Sequence, residues 1–107
     1  MKAIRVSDRL SIGDQITLSD ISKSLVSGFA SVINNRPDGE EPSQLTAHEA
    51  SLEAEFVGLA YSYQPETLNV ISKDDVRKFQ QHVAELEGPV LAHCRSGTRS
   101  LGFGRSA

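Results

Sequence analysis

Residues 89–100 read Pro-Val-Leu-Ala-His-Cys-Arg-Ser-Gly-Thr-Arg-Ser, and this stretch decides how the rest of the chain is interpreted. The apolar run 90–92 predicts a short buried strand that delivers Cys94, the only cysteine, to the end of a sheet. The following turn contains Gly97, so successive backbone N–H groups can point to one centre, and the planar guanidinium of Arg99 can bind an anion. Such a positive environment favours the reactive thiolate form of a cysteine. The stretch therefore predicts a cysteine nucleophile in an anion-binding loop.

The ordinary interpretation of each loop residue is less specific. A solitary cysteine is usually a small buried apolar residue, and a glycine after a strand is usually only a turn. The combination of His93, Cys94, Gly97 and Arg99 at a strand end favours the reactive loop. The residues predicted to bind the anion are Arg95, Ser96, Gly97, Thr98, Arg99 and Ser100.

A second stretch strengthens this hypothesis. Residues 31–40 read Ser-Val-Ile-Asn-Asn-Arg-Pro-Asp-Gly-Glu, and together with residues 89–100 they resemble the phosphatase-like domain of the beta-lactamase-hydrolase-like family. The resemblance covers nearly all of residues 1–100. It implies a bacterial α/β domain with the fold of dual-specificity phosphatases, found in this family alone or fused ahead of a metallo-beta-lactamase-type domain. It leaves the physiological substrate open.

The loop departs from the phosphatase pattern in its length. Four residues separate Cys94 from Arg99, one fewer than in protein tyrosine phosphatases. A shorter ring of donors should hold the three equatorial oxygens of a phosphoryl group less well. Four-residue spacing resembles that of many rhodaneses, which carry sulfur as a cysteine persulfide, although the His-x-x-Gly-Ala stretch common in rhodaneses is missing here. Loop length therefore favours sulfur transfer, whereas the wider resemblance favours a phosphatase.

These alternatives assign different tasks to the same cysteine. In phosphate ester hydrolysis Cys94 attacks phosphorus, Arg99 binds the oxygens, and a carboxylic acid protonates the leaving group. Glu66 is the first candidate acid, because the resemblance places it in the loop where dual-specificity phosphatases carry theirs, and Asp38 is the second. Either carboxylate is equally well explained as a solvated turn residue. Sulfur transfer needs no acid, and a third alternative is an anion-binding or regulatory domain without turnover.

Supporting roles are expected for residues beside the loop. By the resemblance, His93 orients the cysteine loop by hydrogen bonding. Asn34, Asn35 and Arg36 are candidates for binding substrate anions, although an asparagine at a strand end is more commonly structural. The acidic pair 40–41 is expected to be solvated, and the histidines at 48 and 82 are expected on helix surfaces. One cysteine and three scattered histidines give no zinc-binding spacing, so neither a metal nor another cofactor is expected.

Composition limits the class of protein. The chain has 107 residues, 38% hydrophobic and 23% charged, which predicts a single ordinary globular domain spanning residues 1–107. A net charge of -3 gives no electrostatic reason to bind nucleic acid or anionic membranes. Without an N-terminal apolar segment, and with one cysteine that fits a reducing compartment, the chain is expected in the cytoplasm. The expected partner is a small phosphorylated or persulfide substrate.

The order of elements predicts an α/β fold with a mostly parallel central sheet flanked by helices, as in cysteine phosphatases. Strands are predicted at residues 2–6, 10–12, 31–34, 59–63 and 90–92. Helices are predicted to begin at Thr17, Thr46 and Ser72 and to end near residues 28, 58 and 86. Loops 35–41 and 64–69 and the Cys94 loop then follow the carboxyl ends of parallel strands, where ligands bind in such sheets.

The last seven residues contain two glycines and predict a poor helix. Phosphatases and rhodaneses place a substantial helix after the anion loop, with its positive end toward the ligand. The chain is therefore expected either to lack this helix or to be truncated at its C-terminus.

Overall fold

The computed structural model describes residues 3–65 and 72–94. Their elements follow the predicted order. The strands are β1 Ala3–Arg5, β2 Leu10–Gly13, β3 Ser31–Asn34, β4 Ala60–Tyr63 and β5 Val90–His93. The helices are α1 Leu18–Val26, α2 Ala47–Val57 and α3 Lys73–Glu85. None of these described helices is long and apolar enough to cross a membrane.

The strands form one five-stranded sheet in the order β1-β2-β5-β3-β4. Only β1 runs antiparallel, and the pairs β2·β5, β5·β3 and β3·β4 are all parallel. The predicted mostly parallel sheet is therefore confirmed. Gly13 on β2 and Asn34 on β3 both pair with His93, so the carboxyl ends of these strands lie level with one another. Cys94, which follows His93, thus lies between the starts of the loops that follow β2 and β3.

Both faces of the sheet are covered by helices, which makes three layers. Neighbouring residues of β3 point to opposite faces because the side chains of a strand alternate. Ile33 belongs to the apolar cluster under α3, whose central side chain, Phe79, is fully buried. Val32 belongs to the cluster under α1 and α2, together with Ile21 and Ala54. Each layer therefore supports the middle strands, β5 and β3, from one side.

The helices begin where the sequence predicts. Thr17, Thr46 and Ser72 each accept a hydrogen bond from the backbone N–H three residues later, and the acidic residue at that position bonds back to the cap's own N–H. These reciprocal capping boxes satisfy backbone donors that a helix start otherwise leaves unpaired. At its other end, α2 closes at Gly58 with φ +89°, a left-handed conformation that glycine adopts without steric cost.

The orientation of α2 differs from the sequence pattern. Ala47, Ala50 and Ala54 face the interior, whereas Leu52 and Phe56 are exposed, Phe56 to 86%. Small side chains let the helix approach α1 and the sheet closely, so the larger side chains project outward. The positions at 18 and 25 of α1 are likewise partly exposed.

Candidate active site

The site is built at the carboxyl edge of the sheet. Beyond the strands, the N–H of Asn35 donates to the carbonyl oxygen of His93 at 2.8 Å, and the N–H of Gln64 donates to that of Asn34 at 2.8 Å. The ladder therefore continues past β5, β3 and β4. This pairing fixes the start of the loop after β3 against the end of β5, and the start of the loop after β4 against the end of β3.

Cys94 comes directly after β5 at this edge. Its residue is 1% exposed, so the sulfur lies inside the protein rather than on its surface. The predicted placement of the thiol at the end of a buried strand is what the structure shows.

His93 is the last residue of β5 and is 2% exposed. The pKa of the imidazole is lowered to about 4, mainly by burial and in part by the nearby charge of Arg36, while the Cys94 backbone and Asp14 act in the opposite direction. The ring is therefore neutral near pH 7. Within residues 3–65 and 72–94, neither ring nitrogen makes a hydrogen bond of good geometry. The hydrogen bonding by which His93 is expected to orient the cysteine loop stays a prediction, because residues 95–100 lie outside the described part of the chain.

Arg36 follows β3 and is buried, with 4% of its side chain exposed. Its Nε donates to Glu40 Oε1 at 3.0 Å, and its Nη1 donates to Gln15 Oε1 at 2.7 Å. Glu41 Oε1 lies 3.7 Å from Nη2. Glu40 is exposed, as expected for the pair 40–41, and its carboxylate balances the buried cation. Arg36 ties the loops after β2 and β3 together across the end of β5.

The asparagines at the end of β3 hold the backbone. Asn35 Nδ2 donates to the carbonyl oxygen of Gln64 at 3.1 Å. Asn34 Oδ1 accepts from the N–H of Arg36 at 2.8 Å, while its Nδ2 donates to Tyr61 Oη at 2.9 Å. These contacts give both asparagines a structural role, the commoner of the two roles considered from the sequence.

Tyr61 is itself perturbed by this environment. The pKa of Tyr61 is raised to about 12, mainly by burial and in part by the nearby charge of Asp38 and the Tyr63 hydroxyl. The hydrogen bond from Asn34 acts in the opposite direction. The phenol therefore remains protonated at physiological pH.

Asp38 is exposed, yet its position is fixed. Its N–H donates to Tyr63 Oη at 2.8 Å, and its Oδ1 accepts from the N–H of Ala47 at 2.8 Å. Ala47 is the first residue of α2, so the carboxylate lies at the positive end of that helix. Asp38 is thus more than a solvated turn residue, and it links β4 to the start of α2.

Several residues at this edge were not singled out from the sequence. Asp14 follows Gly13, which pairs with His93, and its charge reaches the His93 ring. Tyr61 and Tyr63 are two residues apart on β4 and therefore share a strand face. That spacing was the signal from which their common position at the site could have been inferred. Gln15 was not singled out either, since nothing local indicates its partner 21 residues away.

The remaining predicted site residues lie outside the described part of the chain. They are Glu66, Arg95, Ser96, Gly97, Thr98, Arg99 and Ser100. Their roles stay predictions, as does the expectation about the segment after the loop. Among the described residues, no group of His, Cys, Asp and Glu side chains is arranged to hold a metal ion.

Known proteins resemble the chain over almost its whole length. The family model described as "Beta-lactamase hydrolase-like protein, phosphatase-like domain" matches residues 3–104. A beta-lactamase hydrolase-like protein of Agrobacterium fabrum is 45% identical over 101 residues, which are 94% of this chain and 23% of that protein. The chain therefore spans about a quarter of the length of such relatives.

Solved structures show the same fold. A "putative phosphatase" of Neisseria meningitidis is 36% identical and superposes with a TM-score of 0.88, covering 94% of this chain and 71% of that one. TpbA of P. aeruginosa, solved in complex with pTyr, is 17% identical, with a TM-score of 0.67 over 94% of this chain and 58% of its own. At that identity the second likeness concerns the fold alone.

Proposed function

Because the chain belongs to the phosphatase-like domain family of beta-lactamase hydrolase-like proteins, we propose that it hydrolyses phosphate esters with Cys94 as the nucleophile. The observation that carries this proposal is the position of Cys94. It follows the middle strand β5, level with the ends of β2 and β3, where open α/β sheets bind their ligands.

The proposed reaction has two steps. In the first, the Cys94 thiolate attacks phosphorus, the bond from phosphorus to the ester oxygen breaks, and the leaving oxygen takes a proton from a carboxylic acid. In the second, water attacks the thiophosphate intermediate, which releases inorganic phosphate and restores the thiolate. Arg99 and the backbone N–H groups of residues 95–100 are proposed to stabilise the charge on the phosphoryl oxygens.

Asp38 and Glu66 remain the two candidates for the acid. The hydrogen bond from Ala47 commits one oxygen of Asp38 to the start of α2, which favours Glu66. We expect Glu66→Gln to lower kcat for a substrate with a poor leaving group by roughly 100-fold or more, the usual contribution of a general acid. Asp38→Asn, which keeps an acceptor oxygen for Ala47, serves as the matched variant. Comparable loss of kcat in Asp38→Asn alone would assign the acid to Asp38 instead.

The substrate class proposed is a phosphate monoester on a small molecule or a protein side chain. TpbA, which shares the fold, was solved with pTyr, so an aryl phosphate is a suitable first substrate. We expect release of phosphate from an aryl phosphate by the wild type and its loss in Cys94→Ser. Mass spectrometry of the quenched reaction should find a phosphoryl adduct on Cys94. Equal hydrolysis by Cys94→Ser would refute the proposal.

A persulfide-carrying role is the second candidate, and the four-residue spacing between Cys94 and Arg99 favours it. In this reaction the Cys94 thiolate attacks the outer sulfur of thiosulfate, the sulfur–sulfur bond breaks, and sulfite leaves. The resulting persulfide passes its outer sulfur to cyanide as thiocyanate, which restores the thiolate. Thiocyanate formation that is lost in Cys94→Ser, without phosphatase activity, would select this function. Anion binding with neither activity would indicate a non-catalytic domain.

The role of the chain within a larger protein is a further part of the proposal. Relatives are about four times as long as the part that matches, since 23% of the Agrobacterium fabrum protein is covered. We propose a metallo-beta-lactamase-type domain as the fused or associated partner and the cytoplasm as the compartment. Co-purification of such a domain with the tagged chain from its native cell would test the association.

A further inference from the structure

A cavity of about 500 Å³ lies beside the candidate active site. Its wall includes Gln15 and Arg36, the residues that follow the two strands flanking β5, and it therefore opens at the same edge of the sheet as Cys94. The starts of α1 and α2 and the loop after β3 complete it. This volume falls within the range of pockets that bind small ligands or side chains.

The cavity wall carries polar groups whose hydrogen bonding is incomplete. Among the described residues, Arg36 Nη2, on a residue that is 3% exposed, has no hydrogen-bond partner, and neither has Gln44 Oε1. Both residues line the cavity. Buried polar atoms in native proteins nearly always have hydrogen-bond partners. Unpartnered atoms in the wall of a cavity therefore indicate that the cavity binds a ligand. One atom is a donor and the other an acceptor, which is the complement of a peptide unit. Both atoms are buried, so small side-chain rotations must accompany the contact.

The charge and the apolar surface of the cavity narrow the chemical class of its ligand. Arg36 is paired with Glu40, at 3.0 Å, and with Glu41, whose Oε1 lies 3.7 Å from Nη2. Within residues 3–65 and 72–94, the carboxylate of Glu49 bonds to Thr46 alone, a neutral residue, and it also lines the cavity. Leu18 and Leu45 supply apolar wall, and Leu18 is 44% exposed. A long side chain with an apolar stem and a positive end matches this combination.

We propose that the cavity is a subsite for a lysine or arginine side chain of a phosphorylated polypeptide substrate. The inference rests on the proposed phosphatase function and narrows its substrate class. The aliphatic stem packs on Leu18 and Leu45, the charge pairs with Glu49, and the neighbouring peptide unit bonds with Arg36 and Gln44. A second phosphate in the cavity is disfavoured by the carboxylate of Glu49.

The test compares phosphotyrosine peptides that differ only in carrying lysine or glutamate near the phosphorylated residue, on either side. We expect kcat/KM to be higher for the lysine peptides. In Glu49→Gln the ratio of lysine to glutamate kcat/KM should fall roughly 3- to 5-fold, the effect of one partly exposed ion pair. Glutamine preserves the capping box, so the fold of α2 is retained. Glu55→Gln, on α2 but outside the cavity wall, is the control and should keep the wild-type ratio.

The outcomes separate the two proposals. If an aryl phosphate is hydrolysed but the wild type treats lysine and glutamate peptides alike, the subsite is refuted and the phosphatase function stands. If no phosphate ester is hydrolysed, the phosphatase function fails. Calorimetry of the unphosphorylated peptides with the wild type and with Glu49→Gln then tests the proposed subsite independently of catalysis. Equal affinity of the wild type for lysine and glutamate peptides would overturn the subsite.

Discussion

At the scale of single residues, the buried imidazole of His93 makes the stability of the fold sensitive to acid. Burial holds its pKa at about 4 in the folded chain, against about 6.5 for an exposed histidine. Between these values the unfolded chain binds a proton that the folded chain does not. Stability is therefore unaffected by this ring above about pH 6.5 and falls as the pH drops through the window, because ionisation favours unfolding there.

We expect this ring to remove about 2 kcal/mol of stability between pH 7 and pH 5. Urea unfolding of the wild type and His93→Gln at both pH values measures it, because the variant should lose less stability on acidification, whatever its stability at pH 7. His48→Gln, at an exposed position of α2, should behave as the wild type. An equal acid loss in His93→Gln would contradict the assignment.

Asp38 carries a separate prediction at this scale. Its Oδ1 accepts the N–H of Ala47, a donor that the start of α2 would otherwise leave unpaired. Asp38→Ala should lower the free energy of unfolding by roughly 0.5–2 kcal/mol, the range for lost capping residues. Asp38→Asn retains an acceptor oxygen and should lose less. Thermal unfolding followed by circular dichroism distinguishes them, and equal losses would show that the contact contributes nothing.

At the scale of elements, α2 packs through alanines, and this predicts opposite tolerance on its two faces. Ala54 is fully buried and faces α1 and the sheet, so Ala54→Leu should cost roughly 1–3 kcal/mol by overpacking. Phe56 is exposed to 86%, and Phe56→Ser should change stability by about 0.5 kcal/mol or less. Urea unfolding of both variants at pH 7 is the measurement. A larger loss for Phe56→Ser would mean that its face is covered in solution.

The elements also show what the sequence could reveal. Local signals were sufficient for the three capping boxes, because each box lies within four consecutive residues. The parallel sheet followed from alternating strands and helices. The outward placement of Leu52 and Phe56 was not predictable, since it depends on how closely α2 approaches α1 and the sheet. The pairing of Arg36 with Gln15 joins distant segments, and therefore no local pattern reports it.

For the candidate site, the sequence located Cys94 and the edge of the sheet correctly, because a buried run before a turn places the next residue at a strand end. It did not reveal that Glu40, although exposed, pairs with the buried guanidinium of Arg36, since an acidic pair after Asp-Gly gives no sign of that partner. Asp14 was missed for a similar reason. Its importance depends on the register of β2 with β5 rather than on its neighbours in sequence.

At the scale of the whole molecule, the middle of the sheet couples its two helix layers. Phe79 of α3 packs on Ile33, Val90 and Ala92, whose neighbours in sequence face the other layer. Phe79→Ala should therefore cost roughly 3–5 kcal/mol. The loss should appear as one cooperative transition, with far-ultraviolet circular dichroism and tyrosine fluorescence coincident in urea. Separate transitions for the two probes would show that the layers unfold independently.

The antiparallel strand β1 affects how readily the protein aggregates in concentrated solution. It is three residues long and exposed throughout, and it occupies the border that the mostly buried β2 would otherwise present. An exposed edge strand of that kind offers unpaired backbone groups with which a strand of a second chain can pair. A short, solvated edge strand that carries Arg5 is a poor template for such pairing. This small hairpin therefore protects the edge of the sheet against edge-to-edge aggregation.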